Sequence, residues 1–464
     1  MRATLAAARA VPEQLVAGRA VAVPGGGTIR RFPQRVAGMP VHGAEAIVVE
    51  PAGGAPELVV DHTVARLKAP RAAEIGRQGA VERARAGAGI ERLRGPPRAR
   101  LGVDPRTRRL AWEVQLPAER PTADLLVSVD ARHGRVIRSR DLLRRATASL
   151  FSPNPVVTRG SSSGLRDARD RESSLLASLR VPVTLERLTS ARGCLRGLYA
   201  DARLGPTAKT VCRRSGSWGN VGRSQASFEA LMGYFHVDRT RAYVESLVLT
   251  EGLREKPQRV HANSFPQDNS YFSPFDRVVA FGTGGVDDGE DGDVIVHEYG
   301  HSLQDQQQRL FGATAASAAI GEGFGDYLAA VISSLSTGGE ERFDICMFEW
   351  DAISYTRRRC ARRTDKEITL RRANRRCGRE PHCVGEAWSS ALWELRGELG
   401  LDPAGRSVGD RIVLESQFMY TRRTGFHDAA RALIAADELL YAGLHEAIVE
   451  AEMVEREFCA KRGC

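Results

Sequence analysis

The chain has 464 residues, too many for a single core, so two or three domains are expected. Its 42% hydrophobic content excludes a wholly disordered chain, and no apolar run is long enough for a helical membrane span. The net charge of +10 gathers at one end: residues 1–150 hold 26 Arg and Lys against 14 Asp and Glu, the remainder 41 against 43. Only five of the basic residues are Lys, which reads as codon usage. No nucleic-acid motif accompanies the charge, so nucleic acid is not an expected partner.

Met1–Val23 is rich in Ala, but Arg9, Glu13 and Arg19 interrupt it, leaving no convincing signal-peptide core. Strand-like runs follow at Ala46–Val49 and Leu58–Val60, around a Gly53-Gly54 turn. Residues 70–88 read as a helix. Strands are then expected over Arg109–Gln115, Asp124–Asp130 and, after a His133-Gly134 turn, Arg135–Arg138. Pro153-Asn154-Pro155 and Gly160–Gly164 break the pattern, so residues 146–175 read as an exposed linker. Residues 178–222 suggest short strands with turns. Phe228, Leu231, Met232 and Phe235 give helical spacing to Ser224–Val248, and Val260–Phe281 returns to strands. From Asp293 the chain turns mainly helical, at 294–306, 315–335, 385–399 and 426–459. The fold class is α+β.

All eight cysteines lie beyond residue 190, at 194, 212, 346, 360, 377, 383, 459 and 464, and none forms a C-x-x-C pair. Four disulfides in an oxidising compartment, hence a secreted protein, are expected. Sequential pairing is the simplest arrangement, and free core cysteines are the alternative.

His297-Glu298-Tyr299-Gly300-His301 carries the chemistry. Side chains four apart on a helix lie about 40° apart, so both imidazoles can face one ion with Glu298 beside them. Zinc suits two imidazoles and a carboxylate with one position left open. Glu322, in Gly321-Glu322-Gly323-Phe324-Gly325-Asp326, is the expected third ligand; Asp326, on the same helical face, would reach a ligand histidine's free N–H. Asp287–Asp293 supplies an acidic helix start. Asp293 is also a candidate calcium ligand.

These residues resemble the thermolysin-like zinc peptidases, and most closely the fungalysin branch. Asn269-Ser270-Tyr271-Phe272 with Phe281-Gly282-Thr283-Gly284 is similar to the family's edge strand, which implies that Asn269 and Ser270 bind substrate backbone. His382-Cys383-Val384-Gly385-Glu386-Ala387-Trp388 resembles the H-x-x-G-E-x-W segment, implying that His382 faces the scissile bond and donates to the oxyanion. Phe426-His427-Asp428-Ala429-Ala430 through Asp437 is similar to the closing helical segment. Phe32–Ala44 resembles the propeptide opening, and Leu110–Val114 with Val129–Gly134 a PepSY module. No Tyr lies between His301 and Glu322, so the tyrosine that assists the oxyanion in thermolysin-like enzymes has no match there.

The resemblance implies a propeptide over 1–145 (opening about 25–75, PepSY-like about 76–145) and a linker over 146–175. A β-rich catalytic lobe over 176–292 and a helical lobe over 293–464 would follow. Glu298 would act as general base in a zinc-dependent endopeptidase, with protein or peptide substrates. The propeptide would inhibit the enzyme intramolecularly, its basic face docked on Asp287–Asp293. The alternatives are a zinc-bearing, non-catalytic binding or inhibitor protein, and an independent basic interaction module over 1–150.

Overall fold

In a computed structural model, described over residues 2–18, 20–23, 27–190, 193–205, 209–213, 216–337 and 345–464, the chain divides into two units, Met1–Leu143 and Arg144–Cys464. The secondary structure is mixed α and β.

The first unit is a nine-stranded sheet with one longer helix. Strands β1 (Ala20–Val23), β2 (Gly27–Val36), β3 (Met39–Glu50), β6 (Arg98–Val103), β7 (Leu110–Arg120), β8 (Ala123–Asp130) and β9 (Val136–Asp141) lie in that order. Strand β4 (Glu57–Asp61) pairs with β3, and β5 (Arg92–Leu93) with β7. The helix Arg77–Gly87 presents Ala80 and Ala84 to Val114, Leu116 and Val127, whose alternation along β7 and β8 puts them on one sheet face. Small alanines let the helix lie close. Trp112 fixes the approach by donating its indole N–H to the Ile75 carbonyl at 2.9 Å. The β3, β4, β7, β8 and β9 stretches match the expected strands, whereas the arginines of β2 and β6, with Pro33 in β2, hide their alternation.

In the second unit β10 (Arg144–Leu150) pairs antiparallel with β11 (Val181–Leu188). A four-stranded sheet follows in the order β12 (Ala200–Leu204), β13 (Gln258–Phe265), β15 (Val278–Gly282), β14 (Ser270–Ser273). Its first three strands run parallel, and β14 is an antiparallel edge. The long helix Ser227–Ser246 packs on this sheet, and the longer helices that follow are Gly292–Gln307, Ala315–Thr337, Pro381–Leu399, Val408–Ser416, Phe426–Tyr441 and Glu446–Glu455. The expected helix over 426–459 is broken at Ala442-Gly443, where φ turns to 54° and 71°.

Residues 146–157 are not the exposed linker expected, whereas most of 158–175 lies at the surface. Phe151, Val156 and Leu165 are core residues, and the Pro153 carbonyl accepts from Gly292 N at 3.0 Å. Asn154 is fully buried; its Nδ2 donates to Asp291, Asp293 and Glu349 at 3.0–3.3 Å. Further on, the Asp167 carbonyl accepts from buried Arg223 at 2.6 Å. Pro and Gly signalled irregular backbone correctly, but here a helix start and buried side chains satisfy its polar groups.

The acidic start of the helix Gly292–Gln307 is likewise internal. Asp287, Asp288, Glu290, Asp291 and Asp293 are all buried rather than spread on the surface. Four disulfides form in sequential order: Cys194–Cys212, Cys346–Cys360, Cys377–Cys383 and Cys459–Cys464.

Candidate metal centre

The helix Gly292–Gln307 begins at Asp291, whose side chain accepts from the Asp293 N–H at 3.0 Å. One and a half turns on, it presents His297 and His301, with ring centroids 4.9 Å apart and planes at 89°. The helix Ala315–Thr337 packs against it and brings in Glu322. Its Oε2 lies 3.2 Å from His297 Nε2, and its Oε1 lies 3.5 Å from His301 Nε2. Ligand-type atoms of all three residues fall within 4.8 Å of one another. Buried Glu322 Oε2 takes no well-aligned hydrogen bond from either ring. Atoms that converge without pairing point to a common ion, and two imidazoles with a carboxylate fit zinc.

Glycine sets the spacing. A Cβ on Gly300 would lie 3.2 Å from Gly325 Cα, and one on Gly325 would lie 2.5 Å from His297 Nδ1. Replacing Gly325 with Ala is expected to push the His297 ring aside, costing about 1–3 kcal/mol of stability and about 10–100-fold in zinc affinity. Thermal unfolding and zinc competition against a chelator measure the two effects. Wild-type zinc affinity in this variant would show that the helices have slack.

Asp326 Oδ1 lies 2.9 Å from His297 Nδ1, where the sequence predicts a carboxylate. Asp326 is held in turn by Arg362, whose Nε donates to Oδ2 at 2.8 Å. Burial opposes charge on His297, yet Asp326 and Glu322 outweigh it and push the imidazole up to about 9. A cation seated between the rings takes the place of that proton. Burial would raise Glu322, but His301 and His297 hold it well below the usual carboxylate range.

The cleft has a volume of about 380 Å³ and takes in all the expected site residues except Asp326 and Asp293. Glu298 accepts from Ser270 Oγ at 3.1 Å through Oε1, and its Oε2 is buried without a donor. Asn269 and Ser270 stand at the start of the edge strand β14. His382 sits in the first turn of Pro381–Leu399, its Nε2 3.2 Å from Glu322 Oε2 and its Nδ1 2.6 Å from Glu380 Oε1. Gly385 lets this helix approach: a Cβ there would lie 2.8 Å from the Ala319 carbonyl. Asp293 is not in the cleft. It accepts from Ser333 Oγ and Asn154, and belongs to neither group of metal-ligand type among the described residues.

Sequence reasoning missed Phe348, Asp351 and Tyr355, which line the cleft from the segment clipped by Cys346–Cys360, and Arg362, two residues beyond it. Nothing in their spacing marks them, and Arg362 follows a run of arginines at 357–359. No tyrosine lies between His301 and Glu322, but Tyr355 reaches the cleft, its hydroxyl donating to Asp351 at 2.8 Å.

Residues 283–463 match the family model of the Fungalysin metallopeptidase (M36). Over those residues the chain is similar to the fungalysin zinc metallopeptidases. The match takes in the metal helix, Glu322, His382 and the closing helices, while residues 1–282 lie outside it. No curated protein matches the chain. As a fungalysin-like enzyme it is a metalloendopeptidase, acting on protein or peptide substrates. No described helix is long and apolar enough to cross a membrane.

Proposed function

We propose that this fungalysin-like chain is a secreted endopeptidase made as a latent precursor, with His297, His301 and Glu322 as the zinc ligands. The catalytic region is read as thermolysin-like and two-lobed, with a β-rich part before residue 293 and a helical part after it. Bound zinc supplies Lewis-acid polarisation of the peptide carbonyl and acidifies water. Glu298 takes a proton from the attacking water and delivers it to the leaving amine. The observation that carries this is the buried Glu298 Oε2, without a donor beside the His–His–Glu group. Ser270 holds the other carboxylate oxygen and so fixes the free one. His382 donates to the developing oxyanion from the cleft rim. The edge strand β14 aligns an extended substrate, with Asn269 at its start. Asp326, clamped by Arg362, orients His297.

Residues 1–143 are read as the inhibitory propeptide, and four disulfides beyond residue 190 support an oxidising, extracellular setting. Because β10 and Phe151 belong to the second unit, maturation is expected at Leu142–Leu143, between β9 and β10, rather than within 146–175. Incubating the full-length protein with casein, with and without a chelator, tests both ideas if the product's N-terminus is sequenced. Chelator-sensitive digestion is expected to rise as the N-terminus moves to the 142–143 region. Casein left intact by processed, zinc-loaded protein would overturn the peptidase, and full activity with Met1 retained would overturn latency.

A further inference from the structure

We propose that Asp268, Asp288 and Asp351 form a subsite of the cleft that takes a cationic substrate side chain, lysine or arginine, close to the scissile bond. The proposal rests on the peptidase reading and adds the class of residue selected. The three carboxylates come from separate segments: the turn before β14, the short turn of helix Asp288–Glu290, and the turn Asp351–Ser354. Their oxygens nevertheless lie within 4.8 Å of one another, and all three line the same cleft as His297, Glu298 and Glu322.

Two of these groups are nearly enclosed. Asp288 is 4% exposed and Asp351 7%, and each keeps one Oδ1 buried with no hydrogen-bond donor. Asp351 has its other oxygen on the Tyr355 hydroxyl. Arg362 is the one Arg or Lys among the described residues of the cleft, and it is committed to Asp326 at 2.8 Å. Burial, reinforced by the neighbouring Asp351, pushes Asp288 up to about 8; burial pushes Asp351 to about 7. Carboxylates placed so close, short of donors and short of positive charge, are poor company for each other or for an apolar side chain.

An entering guanidinium or ammonium supplies the missing donors and the missing charge together. Its aliphatic stem would find Tyr271, Phe272 and Tyr355 in the same cleft. A hard divalent ion suits the place less well, because calcium seeks about six to eight oxygens and only three carboxylates converge here. The exposed Asp268 leaves the group open to the cleft side, as a side chain arriving with substrate requires.

The test uses the zinc-loaded protein after maturation and peptides that differ only in the residues flanking one cleavable bond. With Lys, Arg, Leu or Glu at those positions, kcat/KM is expected to favour Lys and Arg over Leu by about tenfold or more, and over Glu by a wider margin. The Lys-to-Leu ratio should fall toward unity in Asp288→Asn and Asp351→Asn. Asp268→Asn, at the exposed rim, gives the same readout if a buried variant fails to fold. A wild-type preference for Leu, or a ratio that none of the variants moves, would overturn the subsite while leaving the peptidase intact. Calcium that stimulates Lys and Leu peptides equally, with the effect lost in Asp288→Asn, would overturn it in favour of a metal site. Hydrolysis of no peptide at all would remove the peptidase reading and the subsite together.

Discussion

Glu298→Gln is expected to keep its zinc and its fold and to lose about 10²–10⁴-fold in peptide hydrolysis. The geometry makes this variant sharper than a simple loss of charge. Ser270 Oγ donates to Glu298 Oε1 at 3.1 Å, so in the variant it favours the amide oxygen at that position. The amide nitrogen is then left where Oε2 stood, a buried point with no donor of its own. A proton acceptor thereby becomes a proton donor in nearly the same volume. Turnover of a defined peptide, measured alongside zinc content and the thermal transition, separates lost chemistry from lost structure. Near-wild-type turnover would remove Glu298 from the mechanism.

Replacing His301 with Ala is expected to abolish stoichiometric zinc, from about one ion per chain to a small fraction after dialysis. His297 has support that His301 lacks, since Asp326 holds its Nδ1 and Arg362 holds Asp326. With one imidazole and Glu322 remaining, the group no longer encloses an ion. His382→Ala is the informative comparison: its Nε2 lies 3.2 Å from the same Glu322 oxygen, and its zinc content should stay at the wild-type level. Equal zinc in His301→Ala and the parent would refute the ligand assignment; loss in both variants would make His382 a ligand.

The parts of the site legible in the sequence are those whose chemistry is tied to short spacing. His297 and His301 share a helical face because residues four apart must, and Glu322 and Asp326 follow the same rule one helix later. Sequential disulfides were readable for a related reason, since each bridges only 5–18 positions. Asp351 and Tyr355 were not readable, because they reach the cleft through a clipped loop with no periodicity, and Arg362 follows just beyond it. The acidic stretch Asp287–Asp293 misled in the opposite direction. Charge usually signals solvent, but here Asn154, Arg223, Trp350 and the helix start supply partners from distant parts of the chain. The same long-range pairing turned the supposed linker at 153–155 into core, which composition alone cannot reveal.

The glycines between the metal helix and its neighbour carry a consequence for redesign. The distance between the two backbones is set where side chains are missing, at Gly300 and Gly325, with the His297 ring filling the remaining gap. Swapping a ligand alters which atoms face the ion and leaves that gap unchanged. Retuning the centre for a larger ion would therefore have to begin with the interhelical spacers. Because any added Cβ at 325 strikes the His297 ring, the natural centre sits at the narrow limit of its adjustable range, and engineering can only widen it.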